Sequence, residues 1–124
     1  MKDGAKNDIG YRLWHSPDAR AVFLLVHGLG AHAGRWEAAA DFFCKRGFTS
    51  YAVELRDVDL SPGAGARRDE SFKSHYSRVL RLREVAAREN PGRKIFLAGE
   101  SMGGLISFIL CARYPGLFAG LILL

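Results

Sequence analysis

One stretch restricts this chain more than any other. From Lys94 an apolar run, Lys94-Ile95-Phe96-Leu97-Ala98, leads straight into Gly99-Glu100-Ser101-Met102-Gly103-Gly104, and a helix-length apolar segment follows. Gly-x-Ser-x-Gly between a buried strand and a helix describes a nucleophile elbow, a tight turn that lifts a serine hydroxyl above a sheet. Such a turn brings strand and helix so close that side chains at positions 99 and 103 would strike neighbouring backbone, so Gly99 and Gly103 are required. Ser101 is therefore the candidate nucleophile, and the other segments are read as its support.

Ile9 to Trp14 alternates with period two and predicts a strand. Ser16-Pro17-Asp18 is a turn cluster. Ala21 to Val26 is a continuous apolar run, as expected of a central strand covered on both faces. It empties into a glycine-rich loop, His27 to Trp36, before a helix from about Trp36 to Arg46, with Trp36, Ala39, Ala40, Phe43 and Cys44 on one face and Gly47 placed to stop it. Phe48 to Leu55 predicts the next strand, and a loop rich in glycine and proline runs from Arg56 to about Asp69.

Phe72, Tyr76, Val79, Leu80, Ala86 and Ala87 make a helical stripe over about Ser71 to Asn90, with Asp69 or Ser71 as N-cap. Arg83 falls near the middle of the stripe, its stem on the sheet and its guanidinium reaching water. The helix from Met102 to about Tyr114 is apolar nearly all round, which predicts burial, and Phe118 to Leu124 is a last apolar strand. Strand and helix alternate from Ala21 onward. The expected class is α/β, a mostly parallel sheet with helices on both faces.

With 124 residues, 48% of them hydrophobic and 25% charged, the chain has the composition of one soluble globular domain. Residues 1–8 are polar, lack the apolar core of a secretory signal and read as loosely attached. No apolar run approaches the roughly 18 residues of a membrane span. A cytoplasmic location is expected, with peripheral membrane contact left open. Cys44 and Cys111 sit in apolar helical patterns and read as small core residues. The net charge of +5 is scattered, with no basic run longer than Arg67-Arg68 and no nucleic-acid motif, so it reads as a solvated surface.

Acyl transfer by serine needs a nucleophile, a base, a group to orient the base, and donors for the oxyanion. One donor would be the N–H of Met102, directly after Ser101 at a helix N-terminus. The other would come from the glycine-rich loop, at the N–H of Leu29.

Several motifs carry a resemblance: His27-Gly28-Leu29-Gly30 with Gly34-Arg35-Trp36, Glu54-Leu55-Arg56 with Ser61-Pro62-Gly63, Gly99 to Gly104, and Tyr114-Pro115 with Phe118-Ala119-Gly120-Leu121. Their order resembles the α/β-hydrolase superfamily, and within it the monoacylglycerol lipase and lysophospholipase branch, over nearly the whole chain. The resemblance implies hydrolysis of carboxylic esters through an acyl-serine at Ser101, and an oxyanion hole from Leu29 and Met102. His27, Gly28, Gly30, Gly99 and Gly103 would support the motifs, and the substrate would be a small ester or lipid. No metal or other cofactor is expected.

Two departures stand out. Where the family usually has a Gly-x-Gly-x-Ser turn, this chain has Asp57-Val58-Asp59-Leu60-Ser61; two carboxylates alone fall short of a calcium site. In this superfamily the acid and the histidine follow the serine, yet the 23 residues after Ser101 hold no Asp, Glu or His. His15, His27, His32 and His75 all precede it. His27 reads as structural, His15 and His75 as ordinary, and His32, in the glycine-rich loop, is the candidate for a rewired base. Residues 1–124 are thus expected to be an incomplete domain, the N-terminal part of the fold, inactive alone because its acid and base are missing. The strand at 118–124 would then be an apolar edge able to pair with a partner or with itself. The alternative reading is a non-catalytic assembly module that uses this edge.

Overall fold

The computed structural model describes residues 9–55 and 71–124. The predicted loop at 56–70, with Asp57, Asp59 and Asp69, and the segment 1–8 lie outside the described residues. Among the described residues, strands and helices follow in the order β1 (Tyr11–Trp14), β2 (Ala21–Val26), α1 (Glu37–Cys44), β3 (Phe48–Val53), α2 (Phe72–Glu89), β4 (Ile95–Gly99), α3 (Met102–Arg113) and β5 (Gly120–Leu123). A short 3-10 turn, Ala33–Trp36, precedes α1. The sheet order is β1-β3-β2-β4-β5. Only β1 runs antiparallel; the other three pairings are parallel.

β2 is central, as its unbroken apolar run predicts. Val22, Leu24 and Val26 are completely buried, and burying each such side chain contributes about 1.5–3 kcal/mol. They face α2 and α3, packing with Leu97, Val79, Leu82, Ala86, Ile106 and Leu110. Leu25 points the other way, toward Ala33, Trp36 and Ala40 beside α1. The chain steps from β2 outward to β3, then back across β2 to β4. Because βαβ crossovers keep one hand, steps in opposite directions put α1 on one face and α2 with α3 on the other.

The register decides where function can sit. Val26 pairs with Val53 and with Gly99, and Gly99 with Leu123, so four parallel strands end together at one edge. The chain reverses direction between β2 and β4, and in open α/β sheets the crevice outside the carboxyl ends at such a point takes the ligand.

Ser71 caps α2 by accepting from the Ser74 amide at 3.2 Å, and Gly47, at φ +90, ends the turn after α1. Other expectations need correction. The buried stripe of α2 is His75, Val79, Leu82, Val85 and Ala86, while Phe72 is 38% exposed; the sheet meets α2 along a line rotated from the one its aromatics mark. His75, read from sequence as an ordinary residue, is interior. The Arg83 side chain is half-buried and its Nε donates to the Leu117 carbonyl at 3.2 Å. Cys44 and Cys111 are only half-buried. α3, apolar all round, buries Ile106 and Leu110 but leaves Leu105 and Phe108 exposed, beside an edge strand that exposes Ile122 and Leu123. No described strand lies beyond β5.

Candidate active site

Ser101 sits between β4 and α3 at φ +56, ψ −122, a combination that L-residues rarely adopt and that costs about 1–3 kcal/mol. Packing holds it there. A Cβ on Gly99 would lie 2.2 Å from the Gly103 carbonyl oxygen, and one on Gly103 would lie 2.1 Å from the Val26 carbonyl oxygen. The amides of Glu100 and Ser101 donate to Val26 (3.2 Å) and Leu124 (3.2 Å), tying the turn to β2 on one side and to the end of β5 on the other. The Ser101 side chain is exposed.

The glycine-rich loop arrives from β2 and lies against this turn. A Cβ on Gly28 would meet the Glu100 carbonyl oxygen at 3.2 Å and the Ser101 Cβ at 3.3 Å, so Gly28 allows the close approach. Gly30, at φ +77, takes a left-handed conformation in a short turn closed by the Ala31 amide on the Gly28 carbonyl, 3.2 Å. Leu29 is 75% exposed. The amides of Leu29 and Met102 meet no backbone acceptor among the described residues. Gly28 to Ala31, Arg35, Glu100 and Ser101 line one open cavity of about 270 Å³.

His27 is buried at the root of the loop. Its Nδ1 donates to the Gly28 carbonyl at 2.8 Å, and its Nε2 lies 3.1 Å from both the Leu55 amide and a Glu54 carboxylate oxygen. The other Glu54 oxygen accepts from the Ala33 amide at 3.1 Å. Glu54, at the end of β3, thus holds both the start and the far side of the loop. Burial pushes its carboxyl up, but the bonds from His27 and Ala33 outweigh this and keep it below its ordinary value.

His32 is not brought to Ser101. Its Nδ1 accepts from the Gly34 amide at 3.1 Å, capping the 3-10 turn, and it lines a separate cavity with Tyr11, Arg12 and Glu54. A base at His32 therefore loses its geometric support. Arg35 and Glu100 form a two-pronged ion pair, Nε and Nη2 each on one carboxylate oxygen, across the cavity beside Ser101. The hydrogen bonds from Arg35 hold the Glu100 carboxyl below the usual carboxylate range. Glu54, Arg35 and Glu100 lie within the sequence motifs, but no local pattern assigns any of them a role. Their one advance signal was their position, each beside a glycine motif or a strand end.

Together the strand order, the crossing helices and the serine-bearing turn at the carboxyl edge define an α/β-hydrolase core. A carboxyl esterase from Bacillus coagulans superposes with TM-score 0.82 at 21% identity, covering 99% of this chain and 41% of that structure. A monoacylglycerol lipase from Paleococcus ferrophilus superposes with TM-score 0.74 at 28% identity, covering 93% and 42%. The family model described as serine aminopeptidase, S33 (Hydrolase_4) matches residues 17–124, and the chain belongs to that family of α/β-hydrolases. It is 35% identical to a monoacylglycerol lipase of Mycolicibacterium smegmatis over 93% of its own length and 41% of that protein's. With human monoglyceride lipase it shares 32% identity over 85% of this chain and 34% of the relative. The chain spans about two fifths of the length of the curated relatives it matches.

Proposed function

We propose that this chain carries the nucleophile and oxyanion elements of a serine hydrolase that cleaves carboxylic esters of the monoacylglycerol type. The observation that carries the reading is the Ser101 turn itself: a serine at positive φ, wedged between two glycines that admit no side chain, facing the loop that Gly28 presses against it. The Ser101 Oγ attacks the ester carbonyl, the new oxyanion receives the N–H groups of Leu29 and Met102, and the alcohol leaves. Water then cleaves the acyl-serine and restores the hydroxyl. Two fixed backbone donors of this kind stabilise the transition state by several kcal/mol. The α3 N-terminus adds a favourable dipole at Met102.

The proton acceptor and its acidic partner are proposed to come from outside these 124 residues. His27 and His32 spend their ring nitrogens on Gly28, Leu55, Glu54 and Gly34, and the chain matches only 41% of its lipase relative. The family description names a peptidase, whereas the curated relatives at 30–35% identity include monoacylglycerol lipases and esterases. The ester reading follows the relatives.

Labelling by a fluorophosphonate probe, in the full natural polypeptide and in the 124-residue chain, tests the assignment beside Ser101→Ala. Labelling of the full polypeptide that vanishes in Ser101→Ala is expected, with little in the 124-residue chain. An unlabelled, folded full polypeptide removes the reading. A second reading, an assembly module pairing through β5, is favoured by the exposed Leu105, Phe108, Ile122 and Leu123. Light scattering of the 124-residue chain decides it: a concentration-independent monomer refutes pairing.

A further inference from the structure

Among the described residues, one ion pair spans the cavity beside Ser101, and the geometry points to Arg35 and Glu100 as positioning residues. They clamp the glycine-rich loop over the serine turn and cancel a carboxylate beside the oxyanion. The inference rests on Ser101 being the acylated serine.

Glu100 is a fixed post. Its amide donates to Val26 at 3.2 Å and its carbonyl accepts from Gly103 at 2.9 Å, so its backbone cannot drift from the turn. Arg35 is anchored on the other side. Its amide donates to the His32 carbonyl at 3.0 Å, and its neighbours in the 3-10 turn, Ala33 and Trp36, are buried. Glu54 holds the far side of the loop at the Ala33 amide, 3.1 Å, but the tip at Leu29 and Gly30 has little to rest on. Leu29 is 75% exposed, and nothing lies within 4 Å of a Cβ placed on Gly30. The span carrying the Leu29 amide is therefore set by its two ends.

A guanidinium meeting a carboxylate by two parallel bonds fixes angle as well as distance, which a lysine ammonium does not. The pair is 65 residues apart in sequence and half-exposed, so its worth to stability is small. Its effect falls instead on the transition state. A loop donor displaced by about 1 Å already costs up to about a hundredfold in rate. Without Arg35, the Glu100 carboxylate would also oppose the negative charge on the carbonyl oxygen in the same cavity.

The experiment uses the full natural polypeptide: wild type, Arg35→Gln, Arg35→Lys, Glu100→Gln and the double Gln variant. It reads the second-order rate of fluorophosphonate labelling, turnover of a short-chain ester, and Tm. Each single Gln variant is expected to label about tenfold more slowly, with kcat lowered, KM unchanged and Tm within about 2 °C. The double should be no slower than the slower single, because both remove one unit. Arg35→Lys should recover less than half of the loss. At about 1 M salt the wild type should slow toward Arg35→Gln, which salt should not slow because its remaining effect is to screen the Glu100 carboxylate.

Singles at the wild-type rate, losses that multiply in the double, or equal salt effects on wild type and variants each overturn the inference. If a variant does not fold, the wild-type salt series decides: no slowing overturns it. A wild type that never labels removes the acyl-serine reading and this inference with it. Labelled wild type with unaffected variants removes the inference alone.

Discussion

Replacing Gly103 by alanine puts the close approach of α3 to β2 under direct load. A Cβ there would stand 2.1 Å from the Val26 carbonyl oxygen and 2.5 Å from that of His27, and both atoms are backbone. Contacts closer than 3.0 Å do not persist, so about 0.9 Å must be found. Val26 cannot yield it, being completely buried in the central strand with pairings on both sides. α3 must withdraw, loosening Ile106 and Leu110 from the core. Overpacking of this kind costs about 1–3 kcal/mol, and an overlap against rigid backbone belongs at the upper end, about 3 kcal/mol. For a chain of this size that is a fall in Tm of roughly 10 °C. Gly30→Ala is the matched control. Its Cβ would meet nothing, so only the strain of φ +77 counts, about 1 kcal/mol and roughly 4 °C. Thermal melts of the 124-residue chain followed by circular dichroism, with probe labelling of the same substitutions in the full polypeptide, make the comparison. Gly103→Ala melting no lower than Gly30→Ala, and labelling normally, would refute the steric account of the turn.

Two further outcomes follow from the same geometry. Ser101 is held at φ +56, so Ser101→Gly should melt about 4 °C above Ser101→Ala, a gain of about 1 kcal/mol, although neither can be labelled; equal melting points would show that the turn stores no strain. Glu54 has a folded pKa below its ordinary value of about 4.3, so it binds its proton less readily when folded. Its contribution is complete above the unfolded value and is lost as pH falls through the folded one. Stability measured from about pH 6 down to pH 3 should therefore fall less steeply in Glu54→Gln than in wild type, and parallel curves would show that the His27 and Ala33 bonds do not set its ionisation.

Much of this architecture was legible because the signals are local. The run Ala21 to Val26 has no polar face, so it had to be interior, and it is the central strand. Ser71 could be read as a cap because capping links residues three apart. The Gly-x-Ser-x-Gly turn was visible because each glycine answers a clash within one tight reversal, and those clashes are present at Gly99 and Gly103. The harder points depend on what lies opposite. α2 buries Leu82 and Val85 rather than Phe72, because the sheet selects which arc of a broad stripe it covers. α3 is apolar throughout yet half-exposed, since periodicity records what a helix could bury and not what covers it.

The sequence by itself determined the alternation of strands and helices, the glycine positions and the serine they present, all consequences of backbone sterics and hydrophobic pattern over a few residues. The tertiary structure decided which loops meet. Strand order and register brought His27, Glu54 and Ala33 into one network and set Arg35 against Glu100, 65 residues away. No local pattern encodes such pairings, because a carboxylate has no partner until the sheet has chosen its neighbours.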